Sequence, residues 1–393
     1  MRPLSSRVIR LLRAVAGERI TARLIRERLQ GAFDGAWYLH RYPDVRGKDP
    51  LVHYAAYGAP EGRDPHPLFD SAFYRQQYPS TEGQIPADNY LREGLPLRRA
   101  THPQRGFCLI PPLGRPLRIL TLLVRYGTER YRGGTERVEE VLSAALPGSD
   151  RQTIIIDNRL PSGTAPEAVD PRRVVIPGDN SSWEFSGWDE GLRFTGKDAL
   201  ENVDFVHFAT DAFEQLGPEF ASALDTRALE TLLCGPCITG HIDFFKNAPM
   251  LGSWQVPSWV RSSYFFIRPA EVKALGSLTT FADRRMFSGD AKQPFANSGP
   301  VDPLLREYIT GWLVGAGTGQ GVQWHSRFDL TAGTLVRFEG KARAILNELA
   351  LSARLRELGC WMADALWLRA ALSGQAEGRL FEQSWSSQVQ LRL

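Results

Sequence analysis

RILTLLV (118–124), QTIIID (152–157), RVVI (173–176) and FVHFA (205–209) are short apolar runs rich in β-branched and aromatic residues. Runs of this length without alternation suit strands buried on both faces. Between the first two lies GTERVEEVLSAAL (134–146), with Val138, Leu142 and Ala145 at helical spacing. A second helix is expected over Trp188–Phe194, ahead of FVHFA. Strands alternating with helices predict an α/β domain: a Rossmann-type, mostly parallel sheet with helices on both faces. Ligands of such sheets sit beyond the carboxyl ends of the strands. Functional residues are therefore sought there.

Outward from this core, the 393 residues are too many for one ordinary domain. An apolar share of 43% and a charged share of 23% fit a globular chain. The net charge of +3 argues against a general polyanion binder, so no nucleic-acid partner is expected. Four cysteines in a long chain do not make a disulfide scaffold. No apolar run reaches 18 residues, so neither a spanning helix nor a secretory signal is expected. The expected location is cytoplasmic.

Residues 1–32 form a basic arm with eight Arg against Glu18 and Glu27. Val8, Leu11, Leu12, Val15, Ile20, Leu24 and Ile25 give it an amphipathic pattern broken at Gly17. Peripheral contact with the inner face of a membrane is one expectation for residues 1–30. A helix packed on its own protein is the other. Residues 33–68 and 69–104 then align without gaps at 14 identical positions of 36, including Phe33/Phe69, Asp34/Asp70, Tyr38/Tyr74, Tyr42/Tyr78, Tyr54/Tyr90 and Gly58/Gly94. Each unit predicts two short helices, the first capped by Asp34 or its counterpart and stopped by Pro43. The aromatics predict either a small core or a sugar-binding face. A Pro/Gly linker spans 105–117, the large domain 118–372 and a tail 373–393.

Two further passages carry a resemblance. GDNSSWEFSGWDEGL (178–192), then GHIDFF (240–245) with PSWVRSSYFFIRPAEVKALGSLTTF (257–281), resemble rhamnan-synthesis F-type polysaccharide glycosyltransferases. The tandem FDxxWYLxxYPDV units are similar to modules attached to such enzymes. The resemblance covers most of 33–350. It implies a GT-A-like domain behind a small all-helical repeat module, with a nucleotide-sugar donor on a Rossmann-like half and an acceptor half beyond. The implied reaction moves a sugar from a nucleotide-diphosphate sugar to a glycan or lipid-linked glycan.

Candidate residues follow. In HFATDAF (207–213), Asp211 is the one carboxylate where the resembled family holds a divalent cation. That implies Mg²⁺ or Mn²⁺, which prefer oxygen ligands. A paired Asp is missing there. Asp157, directly after the second strand, is a nucleotide contact by the same implication. Asn180, Glu184 and Asp189 are donor-side candidates, with Ser186 or Asp189 a helix cap as the plain alternative. His241, Asp243 and Arg261 flank the expected site. For the general base that an inverting transfer needs, Glu307 in VDPLLREYITGWLVGAGTGQGVQW (301–324) matches best. Asp302 is the rival and a natural cap, since Pro303 follows it.

Other signals point to little chemistry. Cys234-Gly235-Pro236-Cys237 has redox spacing but a helix before it and a strand after, the reverse of a redox motif. GAGTGQG (315–321) reads as a loop and not a dinucleotide fingerprint. GGTERVEEVLSAAL (133–146) resembles the first helix of GT-B glycosyltransferases, a fold alternative. A non-catalytic carbohydrate-binding scaffold is the rival function. A sulfotransferase is a third, with RYGTERYRGG (125–134) a poor match for its phosphosulfate loop.

Overall fold

The structure is a computed structural model. It describes residues 3–97, 99–101, 109, 113–129, 131–196, 198–213, 218–233, 235–317 and 327–373. These fall into two compact units. One comprises the described residues within 1–116, 224–236 and from 366 onward; the other those within 117–223 and 237–365.

The first unit opens with α1 (Ser6–Leu29), whose Gly17 has φ +79° and breaks the helix as expected. The repeats follow as α2 (Gly35–Arg41) with α3 (Pro50–His53), and α4 (Ser71–Gln77) with α5 (Pro86–Asn89). Asp34 and Asp70 cap α2 and α4, accepting from Trp37 N and Phe73 N at 3.0 and 2.8 Å. After α3 and α5 the chain runs through a wide π-type turn, Tyr54–Gly58 and Tyr90–Gly94. The glycine is required: a Cβ on Gly58 would lie 2.1 Å from the Tyr38 hydroxyl, and one on Gly94 2.6 Å from that of Tyr74. The repeated tyrosines Tyr38, Tyr54, Tyr74 and Tyr90 are fully buried. They form the cores of the two units and not an open sugar-binding face. Each unit also closes on itself, Asp34 N donating to Pro65 O and Asp70 N to Thr101 O. Two later segments belong here, α9 (Thr226–Leu232) and, from residue 366 onward, α13 (Ala365–Leu372). Arg227 on α9 pairs with Asp34.

The second unit is a mixed α/β domain around one eight-stranded sheet. Its strands are β1 (Arg118–Arg125), β2 (Asp150–Asp157), β3 (Glu167–Asp170), β4 (Arg173–Pro177), β5 (Phe205–Thr210), β6 (Cys237–Phe244), β9 (Ser258–Ile267) and β10 (Trp361–Asp364). A small ribbon, β7 (Met250–Leu251) and β8 (Trp254–Gln255), stands apart. Two short helices, α8 (Pro218–Ser222) and α10 (Pro269–Leu275), follow β5 and β9. The order across the sheet is β10-β6-β9-β5-β1-β2-β4-β3. All strands run parallel except β9 and the edge strand β3. The reason is the connections. A helix lies between β1 and β2 and between β4 and β5, giving crossovers, whereas only the ribbon joins β6 to β9, so the chain folds straight back.

Alternate side chains on each strand meet different helices. On one face Trp188 of α7 (Glu184–Thr195) packs edge-on against Phe208 and Phe265, at 5.3 and 5.7 Å between ring centres. On the other, Glu139 of α6 (Gly134–Ala145) accepts from the Thr153 hydroxyl. Beyond β9, the long α12 (Leu335–Glu357) packs with α11 (Pro303–Val314) in an apolar cluster including Leu305, Ile309, Phe338 and Leu346. α7 starts one turn before the expected Trp188, because its cap position is Trp183, a residue with no capping side chain.

Candidate functional site

The parallel strands end along one edge, and the ends of β1, β2 and β5 lie side by side. Arg125 pairs in register with Asp157, and Val124 with Thr210, which places Asp211 next to them. The strand order reverses between β1 and β5, and ligands of such sheets bind at a point of that kind. There the Asp157 carboxylate accepts from Arg125 Nε at 2.8 Å and from the backbone of Gly127 and Arg159 at 3.0 Å each. Burial pushes the Asp211 carboxyl up to about 6; the negative charge of Asp157 adds to this, against the Tyr126 N–H and Arg125. The first turn of α6 presses on the same point: a Cβ on Gly134 would lie 2.2 Å from the Asp211 carbonyl oxygen.

A second cluster lies further along this edge, where β9 projects past the end of β5. Ser262 on β9 joins two glutamates. Its N–H donates to Glu348 of α12 at 2.5 Å, and its hydroxyl to Glu184 at 3.0 Å. Both glutamates are half-buried and keep a face toward solvent. Burial pushes the Glu348 carboxyl up to about 7, with the charge of Glu184 adding, against the Ser262 hydrogen bonds and Arg261. Burial also raises Glu184, against its own N–H, the Ser262 hydroxyl and Lys341. Beside them Arg261 Nε donates to Asp243 at 2.5 Å, and His241, stacked 3.7 Å from Phe220, lies 3.4 Å from the same carboxylate. Burial raises Asp243, but His241 and Arg261 outweigh it and hold the carboxyl well below its ordinary range.

The loop 178–183 links the two clusters. Asn158 Nδ2 donates to Asn180 Oδ1 at 3.2 Å and to Trp183 O at 2.9 Å. Trp183 has φ +57° and ψ −127°, a costly conformation for a bulky residue, and Lys341 Nζ stands 4.3 Å above its ring. Backbone strain of this kind persists only where surroundings over-determine it, and it gathers at functional sites.

The expected residues are thus sorted. Asp157, Asn180, Glu184, Asp211, His241, Asp243 and Arg261 lie along the carboxyl edge. Asp189 does not face it: its carboxylate accepts from Ser277 Oγ, Leu278 N and Thr279 N, tying a distant loop to α7. Ser186 does not cap α7 in the expected way but accepts from Ser182 N. Asp302 caps α11, accepting from Leu305 N at 2.7 Å. Glu307 stands on the exposed face of that helix, with no hydrogen bond or ion pair among the described residues. Cys234 and residues 318–321 of the glycine-rich run lie outside the described residues. Cys237 is buried at the start of β6, and burial pushes its thiol far above the ordinary range, which makes it unreactive.

Glu348, Ser262, Lys341 and Arg125 were not legible as site residues. Glu348 sits in a long helix where a lone Glu reads as surface. Among the described residues no three His, Cys, Asp or Glu converge as a metal centre. A concavity of about 320 Å³, lined by Glu139, Arg151, Thr153, Asp170 and Arg173, opens toward the starting edge of β4 and away from these acids. No family model matches the chain, and no curated protein matches it.

Proposed function

We propose that the chain is a glycosyltransferase of GT-A-like architecture that moves a sugar from a nucleotide-diphosphate donor to a glycan. The observation that carries this reading is the pair Glu184 and Glu348 held on Ser262, on the same strand-end edge as Asp157 and Asp211. The Rossmann-like strands β4-β2-β1-β5 provide the donor half, and β9, β6 and α12 the acceptor half.

In this reading Glu348 is the general base, in place of Glu307. A carboxyl near 7 is matched to neutral operation. Glu348 takes the proton of an acceptor hydroxyl. The freed oxygen attacks the anomeric carbon, and the bond to the diphosphate breaks with its electron pair leaving on the phosphate oxygen. Glu184 accepts from the Ser262 hydroxyl, fixing the residue whose N–H orients Glu348. Asp157 is committed to Arg125 and two backbone groups, so it shapes the loop after β1. Asp211 remains to meet the donor. Mg²⁺ or Mn²⁺ suits one carboxylate only when donor phosphates complete its shell; bound so, it would neutralise the leaving diphosphate.

The experiment is calorimetry with a panel of nucleotide-diphosphate sugars, with and without Mn²⁺, followed by turnover. Glu348→Gln is expected to keep donor binding and lose turnover at least a hundredfold, on the order of a general base's contribution, while Glu307→Gln retains it. Binding of free glycan with no nucleotide-sugar binding would instead favour the scaffold reading, to which the commitment of Asp157 to internal partners lends support.

A further inference from the structure

Helix α1 carries an exposed surface that its own unit leaves uncovered. One side of it is anchored within that unit. Ile9, Thr21, Ala22, Ile25 and Leu29 are buried, Leu4 N donates to Asp88 at 2.9 Å, and Arg28 pairs with Asp88 at 2.7 Å. This is not the face that the apolar pattern selects. Of the seven apolar positions in that pattern, only Ile25 is fully buried, while Val8, Leu11, Val15, Ile20 and Leu24 are 45 to 88% exposed. A single exposed apolar side chain is ordinary, but five large ones within seventeen residues, Val8, Leu11 and Val15 before the Gly17 break and Ile20 and Leu24 after it, are not.

The charges on that helix are sorted in the same way. Arg7, Arg19 and Arg23 are exposed, each next in sequence to an exposed apolar residue, Val8, Ile20 and Leu24; Arg10 and Arg26 are exposed too but reach back to the first repeat, to Ala56 O at 3.5 Å and to Asp49 at 3.9 Å. The acid that would neutralise them is turned inward, Glu18 accepting from Asp49 N and pairing with Arg13. Only Glu27 shares the outer side. Tyr57 of the first repeat extends the rim, its hydroxyl accepting from Arg13 at 3.3 Å. No described helix is long and apolar enough to cross a membrane, so this surface does not span one.

We propose that the outer side of α1, on both arms of its Gly17 break, docks on an anionic lipid bilayer, its apolar side chains entering the acyl boundary and its arginines meeting acidic headgroups. Interleaved Arg and aliphatic residues suit that partner: the headgroups need cations level with the surface, and the aliphatic chains need depth just beneath. A second copy of α1 is a poorer fit, because two such faces would set arginine against arginine.

The test is co-sedimentation of the full chain with vesicles of phosphatidylcholine containing about 30 mol% phosphatidylglycerol, against phosphatidylcholine alone. The expected result is binding to the anionic vesicles, weakened on the order of tenfold without the acidic lipid. Val15→Ser with Leu24→Ser, and separately Arg19→Glu with Arg23→Glu, are each expected to weaken it on the order of tenfold. Only the apolar pair is expected to keep the wild-type salt dependence. All four side chains point outward, so folding is not at stake, and circular dichroism checks it. Absence of vesicle binding, or binding indifferent to both double variants, overturns the proposal. So does a dimer in sedimentation velocity that Val15→Ser and Leu24→Ser abolish.

Discussion

Replacing Glu348 by Gln should make the sheet domain more stable at pH 8, although it removes a hydrogen-bonded residue. The carboxyl is raised from an ordinary 4.5 to about 7, mainly by burial. A group whose folded value is raised favours the fold when protonated. That contribution is complete below pH 4.5, is lost as pH rises toward 7, and changes no further above. The difference corresponds to about 3 kcal/mol at about 1.4 kcal/mol per pH unit. Because Glu348 keeps an open face, solvent screening reduces this to on the order of 1–2 kcal/mol. The amide that replaces the carboxyl carries no charge at any pH, and its carbonyl can still accept the Ser262 N–H. For a unit of this size the melting temperature should rise by about 2–8 °C at pH 8, with at most about a quarter of that at pH 5. Differential scanning calorimetry at the two values decides it. An equal shift at both, or a loss at pH 8, would refute the claim that a raised carboxyl at this point costs stability.

If Glu348 takes the acceptor proton, kcat/KM should rise about tenfold per pH unit up to about pH 7 and then level; a flat profile between pH 5 and 8 removes it from that role. Asp189→Ala should cost about 1–3 kcal/mol by freeing the three donors of the 277–279 loop, measured by chemical denaturation, and leave the KM for donor unchanged. A raised KM with unchanged stability would return Asp189 to the donor site.

The strands were legible where burial on both faces left continuous apolar runs, as in β1 and β2. The repeats were legible because identical spacing survives in both copies. Residues that work through distant partners were not. Glu348 meets Ser262 across 86 positions of chain, and nothing local marks either. The start of α7 was misread because no side chain caps it: the loop is held by Asn158 from the end of β2, a contact between segments that no local pattern encodes. Asp189 and Asp302 have the composition of site residues, yet their oxygens are spent on backbone N–H groups. For α1 the period was visible, but not which side the repeats would cover.

The self-closing repeats have a consequence for how this chain can change length. In both copies the cap residue's N–H reaches a carbonyl thirty-one residues further on. Where the chain comes in and where it goes out are therefore fixed by the unit itself. The two copies are nonetheless bonded to each other, Ser71 N donating to Asp64 and the Thr101 hydroxyl to Leu68 O, and the basic arm reaches both, through Asp49 N to Glu18 and Leu4 N to Asp88. Deleting either copy therefore strips hydrogen-bond partners from the other, and the pair behaves as one block and not as two exchangeable parts.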